Sequence, residues 1–266
     1  MRPWLLAPLL LLPALLCACP GDELFGDDLE RARAAMLERK WPLAERLLER
    51  YLHDGQSPEK RFEAGLLLLD VLNSTHPQNR ASLDQLESML AEFSDNDERS
   101  AIILEKLGST YERMRRFRDA EKAWSSYVGL SGLSAARMAQ GFARLAAAQH
   151  AQRKFQASEE SLGQCLALDI SEQERLPCML DMADLFISQE RWPEVELICR
   201  QILDSGPGEA EKAQAGFMLG DALEQLGRNR EAFAQFEEIG AIYPNPEVIQ
   251  KRIAHSRAKI KRQPEK

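Results

Sequence analysis

Residues 104–127 read LEKLGSTYERMRRFRDAEKAWSSY. Leu104, Leu107, Gly108 and Tyr111 fall three and four apart, so they share one face of a helix. After a short polar break, Phe117, Ala120, Trp124 and Tyr127 repeat that spacing. Two apolar stripes joined by a turn make a hairpin in which each stripe covers the other. Gly108 lets the partner helix come close, and Phe117 opens the second helix and plugs the hairpin.

The pattern recurs along the chain. Downstream, Leu219, Gly220 and Leu223 precede Gly227, Ala232, Phe236 and Ile239; another unit has Met182, Ala183, Phe186, Trp192, Val195, Cys199 and Ile202. Phe142, Leu145 and Ala146 precede Phe155, Leu162 and Cys165, while Ala32 and Ala35 precede Trp41, Ala44, Leu48 and Tyr51. The markers Trp41, Phe117, Phe155, Trp192 and Asn229 are 76, 38, 37 and 37 residues apart. The gap of 76 is two periods and predicts a further unit centred near Asn79. That unit departs from the pattern, because Asp70 sits where a small residue is expected and residues 74–77 make a longer turn. Pro207 and Pro244 stop their helices, since proline cannot continue the hydrogen-bond ladder.

This unit resembles the tetratricopeptide repeat (TPR), whose period is about 34 residues. The resemblance implies an all-α, right-handed solenoid of about six hairpins over residues 28–246. Residues 247–266 supply a capping helix and basic tail, with Val248, Ile249, Ile253 and Ile260 on the apolar side.

The start of the chain reads as an address. A basic Met1-Arg2 leads into an apolar run from Trp4 to Leu16, too short to span a bilayer, with Pro8 and Pro13 inside it. Leu16-Cys17-Ala18-Cys19 resembles the bacterial lipobox, which makes residues 1–18 a lipoprotein signal peptide and Cys19 the acylated residue. Multiple acyl chains anchor firmly, at about 0.8 kcal/mol per buried methylene. Pro20 stands where an Asp would retain such a protein at the inner membrane, which points to the outer membrane, facing the periplasm. Residues 19–27 form the lipidated Cys and a short tether of at most about 28 Å.

Hydrophobic residues make up 44% and charged residues 29% of the chain, enough for a core and against general disorder. The net charge of −8 opposes a general nucleic-acid binder, which needs a positive field. The segment from Lys251 to Lys266 is the exception, with seven Lys or Arg against one acid. Its basic side chains are read as a solvated capping helix, with contact to anionic lipid headgroups as the alternative.

Chemistry-bearing motifs are missing. None of His53, His76, His150 and His255 is paired with a second ligand at metal spacing, and no phosphate loop or nucleophile elbow occurs. Asp181 and Asp184 are near neighbours on a helix, read as a groove-facing acidic pair rather than catalytic carboxylates. No catalytic residue, metal, cofactor or small-molecule substrate is expected. Beyond the signal segment Cys165, Cys178 and Cys199 remain; Cys165 and Cys199 fall on apolar stripes and read as small core hydrophobes, and Cys165 with Cys178, at the junction of two units, is the one pair considered for a disulfide.

In the TPR family the first helices of successive hairpins line a peptide-binding groove. Aligned with that family, the groove positions here are Glu105, Ser109, Glu112, Arg113, Gln140, His150, Asp184, Ile187, Gln214, Phe217, Asp221 and Glu224. An acidic surface with apolar patches suits an extended segment carrying basic residues and apolar anchors. Lipobox, short tether and helical hairpins together resemble two lipoprotein classes, the BamD type of barrel assembly and the pilotins of type IV pili. A membrane-anchored scaffold for an envelope protein is therefore expected. The alternative is an enzyme or peptidoglycan-associated accessory protein carried on the same repeats.

Overall fold

The computed structural model describes residues 28–54, 57–75 and 80–262. The signal segment, Cys19 and the tether lie outside the described residues, as does Asn79. The described residues form thirteen α-helices, and the chain divides into two compact units, Met1–Pro77 and Gln78–Lys266.

The first unit holds α1 (Asp28–Leu37), α2 (Trp41–His53) and α3 (Pro58–Thr75). Ala32, Ala44, Leu47, Leu48 and Tyr51 close the α1–α2 hairpin, and Ala64, Leu68 and Leu69 of α3 are buried. Asp28 is held below the ordinary carboxylate range by hydrogen bonds from Arg50, against the opposing effect of burial.

The second unit begins with α4 (Arg80–Glu92) and continues as α5 (Asp97–Arg113) paired with α6 (Phe117–Val128), then α7 (Ala135–Ala151) with α8 (Phe155–Leu166). Next come α9 (Glu172–Ser188) with α10 (Trp192–Asp204), α11 (Glu209–Gln225) with α12 (Asn229–Ile239), and last α13 (Pro246–Arg262). The first helix of each pair is called A and the second B. Each B helix also packs on the A helix of the next pair, and α7, α9 and α11 touch in sequence. This is a solenoid of stacked hairpins. The expected second hairpin falls across the division, with α3 in one unit and α4 in the other.

All five markers are first residues of B helices. Two residues before each marker, at Arg39, Arg115, Arg153, Glu190 and Gly227, the backbone turns left-handed, with φ between 56° and 79°. The geometry of the turn is copied too. In the α7–α8 turn, Arg153 N–H donates to His150 O at 2.8 Å and Lys154 N–H to Gln149 O at 3.0 Å, and the other four repeat this pair. Such a turn closes the carbonyl end of helix A. Four of the five positions carry a side chain where glycine is the usual occupant.

Small residues sit where A and B helices approach. A β-carbon on Gly108 would lie 2.6 Å from Trp124 Nε1, and one on Gly220 would lie 2.5 Å from Phe236 Cζ. Ala146 and Ala183 hold the same register against the smaller Leu162 and Cys199. Glycine thus faces a ring, and alanine a smaller side chain. Pairing by size keeps the interior densely filled.

The polar side of the turns is also periodic. The residue before each marker is basic: Lys40, Arg116, Lys154, Arg191 and Arg228. Three of these reach back one repeat, Lys154 to Glu121 at 2.6 Å, Arg191 to Glu159 at 2.7 Å and Arg228 to Glu196 at 2.6 Å. Arg191 and Arg228 also pair with Glu194 and Glu231 in their own helices. Each partly exposed pair contributes about 0–1 kcal/mol, so the ladder chiefly fixes how turns stack.

Cys165 of α8 and Cys178 of α9 form a disulfide, with Cα atoms 6.4 Å apart. The pair is bonded, where unbonded core cysteines were the favoured expectation, because the α8–α9 turn brings two buried stripe positions together. Cys199 is a free, buried thiol, pushed up to about 12 by burial. At the far end α13 buries Ile249, Ile253 and Ser256, whereas Val248, expected on its apolar side, is exposed because the helix is rotated away from it.

Candidate functional site

The candidate residues fall on the A helices of the second unit, α5, α7, α9 and α11. Glu105, Ser109 and Glu112 are half-buried on α5, and Arg113 is exposed with a hydrogen bond to Thr110 Oγ1 at 3.0 Å. Gln140 is exposed and His150 half-buried on α7; Asp184 is exposed and Ile187 half-buried on α9. On α11, Gln214 is exposed, Phe217 and Asp221 are half-buried, and Glu224 is buried.

Side chains link neighbouring A helices. Glu112 accepts from Trp124 Nε1 at 2.8 Å and pairs with Arg144 of α7. Burial raises the Glu112 pKa, and the Arg144 charge and the hydrogen bonds offset only part of that effect. His150 Nε2 lies 3.1 Å from Ser188 Oγ, and His150 Nδ1 lies 4.0 Å from Asp184 on α9. Between α7 and α9 a cleft of about 250 Å³ is lined by Ala147, His150, Ala151, Asp181 and Asp184, with Leu162 at its base. Asp181 is exposed at the cleft, although neighbouring protein crowds its carboxylate. The resulting desolvation and the charge of Asp184 raise its pKa to about 6, against the pull of Arg144 and His150. Asp181 has no ion pair among the described residues.

The last two acids are engaged within the fold. Arg252 of α13 pairs with Asp221 and with Glu224, and Lys259 reaches Glu224 at 3.3 Å. Ser256 Oγ donates to the same Glu224 carboxylate. Burial pushes the Glu224 pKa up, but the Ser256 bond and the two cations outweigh it and hold the carboxyl below its ordinary value. Burial wins at Asp221, whose pKa is raised. Sequence reasoning grouped Arg252 with a solvated tail and Asp221 and Glu224 with the groove. The signal that joins them is opposite charge about one repeat apart.

Among the described residues no group of three or more His, Cys, Asp or Glu is placed to hold a metal ion. No helix among them is long and apolar enough to cross a membrane.

Stacked hairpins in which α2, α6, α8, α10 and α12 each open two residues past a left-handed turn decide the architecture. The fold is of the tetratricopeptide-repeat type. The C-terminal part of a TPR repeat-containing protein of Cytophaga hutchinsonii matches with a TM-score of 0.64 at 14% identity, over 85% of this chain and 86% of that part. PilF of Pseudomonas aeruginosa matches with a TM-score of 0.55 at 16% identity, over 86% of this chain and 96% of that one. PilW, described as a widely conserved type IV pilus biogenesis factor, gives 0.55 at 15% identity, over 84% and 96%. At such identities the likeness is one of fold. No family model and no curated protein matches the sequence.

Proposed function

We propose that the chain is a lipid-anchored TPR scaffold of the bacterial envelope, and that the A-helix face of α5–α11 holds an extended segment of a partner protein. The observation that carries this is the open α7–α9 cleft, where Asp181 and Asp184 face outward without an Arg or Lys ion pair. A cation brought by the partner would complete that site, and Gln140, Ile187 and Gln214 on the same surface offer polar and apolar contacts. An open face, rather than a closed pocket of converging titratable groups, fits binding.

Three features support the envelope setting. The lipobox-like segment ends at Cys19, the Cys165–Cys178 disulfide suits an oxidising compartment, and PilW, a solved structure of similar fold, is a pilus biogenesis factor. Secretin or pilus assembly is the reading preferred, and barrel assembly is the second. Labelling cells with radioactive palmitate tests the anchor: the chain takes up label and sediments with outer membranes, and Cys19→Ser abolishes both. Photo-crosslinkers at Ser109 and Asp184 in intact cells test the partner, with a secretin the expected capture and a barrel-assembly subunit the second reading's. An unacylated chain in the cytosol refutes the anchor, and no capture from either position refutes the groove.

A further inference from the structure

We propose that a second, apolar pocket at the C-terminal end of the solenoid takes one aromatic or branched aliphatic side chain of a partner polypeptide, flanked there by Lys or Arg. The proposal rests on the scaffold reading and narrows it, by naming an anchor and a place for it outside the α7–α9 cleft.

The pocket encloses about 630 Å³ between the first half of α11 and the connection from α12 to α13. Phe217 and Tyr243 form its aromatic wall, their rings stacked with centroids 4.9 Å apart. Ile242 and Pro244 continue that wall. The connection is held in place by its own backbone: Ile242 N–H and Tyr243 N–H both donate to Ile239 O, at 3.1 and 2.9 Å. Pro244 then prevents a further helical turn. Behind the pocket Phe217 rests against Phe236, with ring centroids 5.7 Å apart, and Arg252 lies 5.8 Å from its ring centre. The walls are therefore set before any ligand arrives, yet Phe217, Ile242 and Tyr243 each remain only half-buried.

The rim decides the occupant. Glu209 and Gln214 border the opening, and neither pairs with another described residue. The nearby cations are engaged elsewhere, Arg252 with Asp221 and Glu224, and Lys212 with Glu238 at 2.8 Å. Glu209 and Glu211 on the first turn of α11 leave the local field negative. An acidic segment or a phosphate headgroup is repelled by such a rim, whereas a Lys or Arg beside the anchor is attracted. A polypeptide also offers amide groups to Gln214. Burying an aromatic side chain is worth about tenfold to a hundredfold in affinity.

Three capped heptapeptides test the inference against the full chain, read by the NMR signals of Tyr243 and by titration. The first has a central Trp between two Lys in a Gly/Ser background; the second replaces Trp by Ala, and the third replaces both Lys by Glu. The Trp–Lys probe should move the Tyr243 signals and bind at least about tenfold tighter than either control. Ala210→Arg, at an exposed position on the pocket lining, should remove that advantage while leaving the far-ultraviolet circular dichroism unchanged; Ala210→Trp should do the same by filling the space. Equal affinity for the three probes overturns the proposal. So does a Tyr243 shift that grows with protein concentration alone, which assigns the pocket to a second copy, or one produced by a fatty acid but not by the Trp–Lys probe. A Trp–Lys probe that moves the signals of Asp181 and Asp184 but not Tyr243 refutes the pocket and leaves the groove reading standing. No response at either place refutes both.

Discussion

Gly220→Ala and Gly163→Ala are the same chemical change in two helix interiors, and the structure gives them opposite signs. Alanine is favoured over glycine in a helix by about 1 kcal/mol. At Gly163, exposed on α8, an added β-carbon meets nothing within 4 Å, so this gain stands alone. Stability should rise by about 0.5–1 kcal/mol. At Gly220 the β-carbon would lie 2.5 Å from Phe236 Cζ, 2.8 Å from Cδ1 and nearer still to Cε1. Phe236 is fully buried, with Phe217 and Arg252 against it, and has nowhere to swing. Overpacking of this kind costs about 1–3 kcal/mol, with three close contacts placing it at the upper end, so Gly220→Ala should lose about 1–2 kcal/mol net. Urea titration followed by circular dichroism reads both effects. Shrinking the ring in the double variant Gly220→Ala/Phe236→Leu should lose less than the two single changes added together, because the residues touch. A midpoint for Gly220→Ala at or above that of the parent chain, or strict additivity in the double variant, would refute the size-matched packing.

Three further outcomes are expected. Glu190→Gly should stabilise the chain by up to about 1 kcal/mol, because the native φ of 57° strains any residue with a side chain, and a lowered urea midpoint would contradict this. In a chain carrying Cys17→Ser and Cys19→Ser, reduction of Cys165–Cys178 should cost about 3 kcal/mol for a loop of this length, and denatured non-reduced protein should titrate a single thiol, that of Cys199. Three thiols before reduction would show the bond to be absent. Asp181→Asn should stabilise at pH 7 by about 1 kcal/mol, a figure already reduced for solvent screening. A carboxyl raised to about 6 favours the fold while protonated and loses that contribution as pH rises through 6, so the advantage of Asn should shrink as pH falls toward 4. An advantage independent of pH between 4 and 8 would contradict this origin.

The periodic part of the molecule could be read from the chain because it depends on local spacing. Trp41, Phe117, Phe155, Trp192 and Asn229 each start a helix, as the 37–38-residue markers indicate, and Leu104, Leu107, Ala120 and Trp124 are buried as their stripes require. What could not be read depends on contacts between repeats. Cys165 and Cys178 stand out as the one candidate pair, but whether they bond or stay reduced depends on the α8–α9 turn that brings their sulfurs together. Glu224 has the spacing of a groove residue, yet the cations that cover it come from a helix read as solvated. Ile242 and Tyr243 belong to no repeat position, and Pro244 was legible only as a stop, so the pocket they form with Phe217 left no pattern to detect.

The ion-pair ladder also constrains how such a chain could lengthen. Lys154, Arg191 and Arg228 each find an acid 32 or 33 residues upstream, so both ends of a rung lie within one period, and a duplicated segment brings a complete rung only if it holds both. Duplication of the 37 residues from Trp192 to Arg228 would recreate both ends of a rung at the new junction. A duplicated segment that left out Glu196 or Arg228 would leave one copy with an unpaired rung end.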